Sequence, residues 1–248
     1  MFSRTLSLFL AILGVVWCCA HVTIAADGSE AVIELPLEIH LVQDMEMSRR
    51  GVDMTNWVTA AEIEDTVMPE VNRVWRQAGI RWTLVAVTET SLGDSAAKHD
   101  LKTAILDFVR GSSEDLPELA RPARAIARQH GGNNRDRFHL FVVPYVGRTL
   151  QGFAMPNARA SFLGVWTDKP SRGTDAPRRV KLIEPEPFFL GSLGRTASHE
   201  LGHLLGLKHD RCSQCLMGET QPQGYRLTAQ QIATAREKAT AFVSKLQE

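Results

Sequence analysis

The chain has no excess of either charge and very little cysteine. Its 28 lysines and arginines balance 28 aspartates and glutamates over 248 residues, so it lacks the electrostatic footprint of a nucleic-acid or membrane-surface binder. Internal repeats and low-complexity stretches are also absent, which excludes solenoid and linker-rich architectures. The 44% hydrophobic and 23% charged residues instead fit one globular domain with a sizeable core. Of the four cysteines, Cys18 and Cys19 lie in an N-terminal apolar run, leaving Cys212 and Cys215 as the only later pair.

That N-terminal run has the layout of a signal peptide. Arg4 precedes apolar residues 6–20, and small residues follow around Ala25 and Ala26, so residues 1–26 are expected to be a cleaved secretory leader. Residues 27–248 would then form one domain outside the cytoplasm, secreted or periplasmic. An uncleaved run, stretched to Ala26, would anchor the chain N-terminally in a membrane instead. The leader contains only one charged residue, Arg4, so the exported part stays near neutral. No separate inhibitory segment is legible between the leader and the first expected strand.

The most informative stretch is residues 196–210, TASHELGHLLGLKHD. On a helix His199 and His203 are one turn apart on the same face and can bind one metal ion together. Glu200 flanks the first of them, where a carboxylate reaches a metal-bound water without taking a coordination position. Gly206, three residues after His203, suits the left-handed residue that ends a helix. The chain can then turn back and present His209 to the same ion. Three imidazoles leave a fourth zinc position open, the catalytic rather than the structural pattern, so one Zn2+ is expected. In an oxidising compartment Cys212 and Cys215 form a small disulfide in the turn after His209; a redox-active pair and half of a second metal site are the alternatives. A second metal would need two more ligands, and no further cysteine exists to supply them.

The set His199, Glu200, His203, Gly206 and His209, followed by Met217, resembles the metzincin clan of zinc metallopeptidases. The resemblance implies that Met217 sits in a tight turn below the metal. The short gap from His209 to Met217 and the position of Cys215 are similar to the archaemetzincin branch. Cys212 is displaced from that branch's first cysteine, and its downstream Cys-x-x-Cys is absent, so its second, structural zinc is not implied. The pieces Lys208-His209-Asp210 and Cys215-Leu216-Met217 also resemble the adamalysin branch. Some members carry a tyrosine two residues after the methionine as an extra donor; here that position is Glu219, and Tyr225 lies further on. The clan also implies an edge strand upstream of the zinc helix that holds substrate in extended form, with residues 158–165 as the candidate. Residues 218–225 would wall the pocket beyond the cleaved bond.

The remaining pattern fits an α+β, α/β-like fold: a twisted, mostly parallel mixed sheet with packed helices, a zinc helix and a C-terminal helix. Strands are expected over residues 31–42, 80–87 and 137–146, with the first two parallel through a helical crossover. Between them, after a Gly/Asp/Asn stretch at residues 51–56, a helix opens with a Thr59/Glu62 capping box and shows the face Ile63, Val67, Val71, Val74 and Ala78. Pro69 either kinks that helix or begins it. Residues 96–110 read as helix and 117–129 as one or two helical turns, with a loop at 131–134. Residues 152–166 read as one irregular strand and 167–187 as a surface loop whose Arg178, Arg179 and Lys181 are solvated. His139 reads as a histidine at the end of a strand rather than a ligand. Ser192 is expected to cap a zinc helix over 193–205, and Thr228/Gln231 to cap a closing helix with Ile232, Ala235, Ala239, Phe242 and Leu246 on one side.

Together these features lead to an exported zinc endopeptidase acting on peptide or protein substrates, with Glu200 as general base. A zinc hydrolase of a non-protein amide, such as a cell-wall cross-link, would use the same residues. A non-catalytic zinc-binding module would have no use for Glu200.

Overall fold

The alternation of Ile33, Leu35, Leu37, Ile39 and Leu41 makes β1 (Ile33–Val42) a strand that buries this face in one core, while Val42 reaches a second core on the other side. The computed structural model describes residues 31–107, 116–131, 136–147, 151–168, 176–183, 191–212, 214–218 and 224–247. The expected leader, residues 1–26, and Glu219 fall outside them. A hairpin of β2 (Met47–Arg49) and β3 (Val52–Met54) follows. Arg50 and Gly51 form its two-residue loop with φ of 52° and 75°, so this part of the expected turn region is a hairpin with the twist such turns require.

The Thr59/Glu62 capping box is formed and opens α1 (Ala60–Glu62). A π-turn, Ile63–Val67, joins it to α2 (Met68–Trp75). Pro69 has no N–H for the preceding turn, and the wider turn absorbs that mismatch. The expected apolar face, Ile63 through Ala78, is buried. Left-handed Gly79 (φ 60°) then turns the chain into β4 (Ile80–Thr90), parallel to β1.

Next come α3 (Ala96–Asp107) and α4 (Leu116–His130). α4 is longer than the one or two turns expected, because the buried stripe Leu119, Ala123, Ile126 and Ala127 outweighs Pro122 inside it. β5 (Phe138–Val143) pairs parallel to β1. Residues 152–166, read from sequence as one irregular strand, are instead a hairpin of β6 (Gly152–Met155) and β7 (Ala160–Gly164), followed by the start of β8 (Trp166–Thr167). Pro156 and left-handed Arg159 (φ 49°) reverse the chain between the arms.

The main sheet has the order β4-β1-β5-β7-β6, parallel except for β6. This corrects the expected edge strand: residues 158–165 contain β7, which lies between β5 and β6, and β6 is outermost. β8 and β9 (Arg178–Arg179) make a small second pair, in which Arg179 lies over Trp57 and Trp166. Last come α5 (Leu193–Leu204) and α6 (Ala229–Leu246). α2, α5 and α6 cover one face of the sheet, and α3 and α4 cover the other. The fold is thus α+β with a mainly parallel sheet between helices. Among the described residues no helix is long and apolar enough to cross a membrane.

Candidate metal centre

Ser192 caps α5, its hydroxyl accepting from the Arg195 N–H at 3.2 Å. Every residue of this helix is buried except His203. Its C-terminus closes with two bonds, Leu207 N–H to Gly202 O and Gly206 N–H to His203 O, both 3.0 Å. That pattern needs a left-handed residue after the cap, and Gly206 supplies it with φ 80°. The closing turn also orients a side chain: the Leu207 carbonyl accepts from His203 Nδ1 at 2.8 Å.

A second carbonyl does the same for His199. Leu216 O accepts from His199 Nδ1 at 2.7 Å and from Arg195 Nη2 at 2.8 Å. Arg195 Nε donates to Gly224 O at 3.0 Å. Arg195 and His199, one turn apart on α5, therefore fasten the segment around Leu216 to the helix. Burial lowers the Arg195 pKa to about 10, which leaves it cationic at neutral pH. Nothing in the motif itself singled out Arg195; the available signal was a charged residue four positions before His199 in an otherwise uncharged turn.

These bonds decide which ring nitrogens carry protons. Only an N–H can meet a carbonyl oxygen, so His199 and His203 are both protonated on Nδ1 and present a bare lone pair on Nε2. The Nε2 atoms of His199, His203 and His209 nevertheless converge, each 3.1 Å from the other two. Between His199 and His203 this contact has no proton to share and is repulsive unless a cation lies there. A tetrahedral Zn2+ with nitrogens about 2.0–2.1 Å away spaces them about 3.3–3.4 Å apart, close to what is seen. Burial, then the neighbouring His203, pushes the His199 pKa down to about 3; burial pushes His203 down to about 4. Both rings are thus in the neutral, ligating form at neutral pH.

Glu200 is 5% exposed, and its carboxylate lies against the start of β6. A Cβ on Gly152 would be 2.8 Å from Oε1 and 2.7 Å from Cγ, so glycine is what lets α5 approach the edge strand here. Arg195 is near enough to attract the Glu200 charge. Met217 is fully buried and packs on Gly202, where a Cβ would meet its Sδ at 2.7 Å. Neither glycine was recognised from sequence, because each matters only through a contact distant along the chain or on another element.

Cys212 and Cys215 are joined in a disulfide, so neither sulfur is available as a thiolate ligand. The same loop is tied by Asp210 N–H to Met217 O at 2.9 Å. The Asp210 carboxylate accepts from Cys212 N–H at 2.8 Å and from Gln231 Nε2 at 2.6 Å. Tyr225 is placed elsewhere: its hydroxyl interacts with Ser192 and Glu70 at the start of α5, the end opposite His203. Of the expected pocket wall, residues 219–223 lie outside the described residues.

No family model matches the chain, and no curated protein matches it. Among solved structures it is similar to metalloproteinase-II from Bacteroides fragilis, with 13% identity, 83% of this chain and 53% of that one covered, and a TM-score of 0.46. It is also similar to archaemetzincin from Methanopyrus kandleri, with 12% identity, 84% and 96% covered, and a TM-score of 0.46. For a zinc-dependent peptidase from Methanocorpusculum labreanum the values are 14% identity, 79% and 99% covered, and 0.37. The chain spans about half the length of the Bacteroides fragilis protein, 53%. At such TM-scores the likeness carries no functional argument, which rests instead on the histidines.

Proposed function

We propose that this chain is an exported zinc-dependent endopeptidase. The observation that carries this reading is the contact of two proton-free imidazole nitrogens, His199 Nε2 and His203 Nε2, at 3.1 Å, with His209 Nε2 completing the triangle. His199, His203 and His209 would hold the ion. A Zn2+ bound by three imidazoles lowers the pKa of a water from near 16 to about 7 and polarises a carbonyl.

The chain's own groups supply the rest. Glu200 takes a proton from the attacking water and returns it to the leaving nitrogen as the peptide bond breaks. Its carboxylate lies against Gly152 and within electrostatic reach of Arg195. β6 pairs with β7 on one side, and among the described residues no strand pairs with its other side. An extended peptide added along that edge would run past Glu200. Secretion rests on the leader at residues 1–26, and the Cys212–Cys215 disulfide is consistent with an oxidising compartment.

The test is a peptide-library digest with zinc-loaded protein. Internal bonds should be cut, cutting should stop with a chelator, and Zn2+ should restore it. A folded, stable chain that takes up no zinc would overturn the reading.

A further inference from the structure

On the face of the sheet turned away from α5, a second group of ligand-type side chains is buried. Parallel pairing sets Glu38 of β1 beside His139 of β5, and His40 follows Glu38 on the same face. His40 and His139 are 2% and 3% exposed. His40 Nε2 lies 3.2 Å from His139 Nδ1, and Glu38 Oε2 lies 3.9 Å from that same nitrogen. All three ligand atoms fall within 4.8 Å of one another.

Proton accounting points to what these atoms can share. The Thr90 hydroxyl lies 3.4 Å from Thr88 O and 3.3 Å from His40 Nδ1; with its one proton given to the carbonyl, its oxygen accepts from His40 Nδ1. His40 is then protonated on Nδ1, and its Nε2 lone pair faces His139. Two acceptors, His40 Nε2 and Glu38 Oε2, converge on His139 Nδ1, which has at most one proton to give. A divalent ion would satisfy all three at once. Thr90 holds His40 as outer partners hold metal-ligating histidines.

The end of α4 adds a further imidazole. His130 Nε2 is buried without a hydrogen-bond partner, and His130 is near enough to lower the basicity of His40. The adjoining Gly131 packs on the His139 ring, where a Cβ would lie 3.1 Å from Nε2. The opposing effect is Arg137, which contacts Glu38 Oε2 at 3.3 Å while Asp136 takes its Nε at 2.9 Å. Its charge makes this the weaker of the two sites.

We propose that Glu38, His40 and His139 bind a second divalent transition ion, Zn2+ or a similar nitrogen-preferring ion, that ties β1 to β5 on the face opposite His199. This site does not depend on the peptidase reading. Full-length protein saturated with Zn2+ and desalted should carry about two ions per chain by elemental analysis. His40→Gln/His139→Gln should carry about one, and so should His199→Gln/His203→Gln. One ion in the wild type that persists in the first variant and vanishes in the second would overturn the site. Because removing buried imidazoles can unfold the chain, ring-nitrogen NMR of the wild type gives a second readout. His40 and His139 should shift in a step separate from His199 and His203 as Zn2+ is added. Resonances of His40 and His139 that stay unmoved at saturation would also overturn it.

Discussion

A Cβ on Gly202 would lie 2.7 Å from the Sδ of Met217, so the thioether fills the notch that the missing side chain leaves in α5. Gly202 immediately precedes His203, and Met217 follows the residue whose carbonyl holds His199. Gly202→Ala therefore overpacks a fully buried sulfur, and a loss of about 1–3 kcal/mol is expected from denaturant unfolding. In a Met217→Ala background the same substitution should cost much less. Equal costs in both backgrounds would show that the notch does not seat the sulfur.

Gly152 and Glu200 offer a separate test, because their contact joins the edge strand to the proposed base. Gly152→Ala puts a methyl within 3.0 Å of Cγ, Cδ and Oε1 of Glu200, which forces the carboxylate to move. Zinc content should be unchanged, while kcat falls about a hundredfold, the usual effect of an ångström-scale displacement of a catalytic group. Full activity in this variant would place the working position of Glu200 elsewhere.

Tyr225 gives a pH dependence of definite sign. Burial pushes its hydroxyl from an ordinary value of 10.0 up to about 12. Between those values the folded chain keeps a proton that the unfolded chain has lost, so stability falls as pH rises. The contribution is intact below about pH 10 and is lost through about pH 12, at up to about 1.4 kcal/mol per pH unit. Urea midpoints of the wild type should therefore drop across this window relative to Tyr225→Phe. Parallel pH profiles for the two proteins would refute the assignment.

The parts of the molecule legible in its sequence are those set by local geometry. His199, His203, Gly206 and His209 come together because helix pitch and one left-handed turn determine their relation, and both capping boxes are formed for the same reason. β1 and β4 were readable because their alternation is strong and a helix separates them. Contacts made by pairing between distant segments were not readable. His139 looked like an ordinary strand end because His40 reaches it only through the β1–β5 register, and Arg195 gains its role only when Leu216 folds back onto α5. The β6–β7 reversal was hidden because Arg159, without glycine's freedom, adopts a left-handed turn. The β2–β3 loop places Arg50 where Asn or Asp is the usual signal.

The proposed peptidase reading meets its most direct test in Glu200→Gln, a change of one atom and one charge that leaves His199, His203 and His209 in place. The variant should bind as much zinc as the wild type and cleave no bond in a peptide library that the wild type digests. Equal cleavage by the two proteins, at equal zinc content, would contradict the assignment of Glu200 as the group that moves the proton.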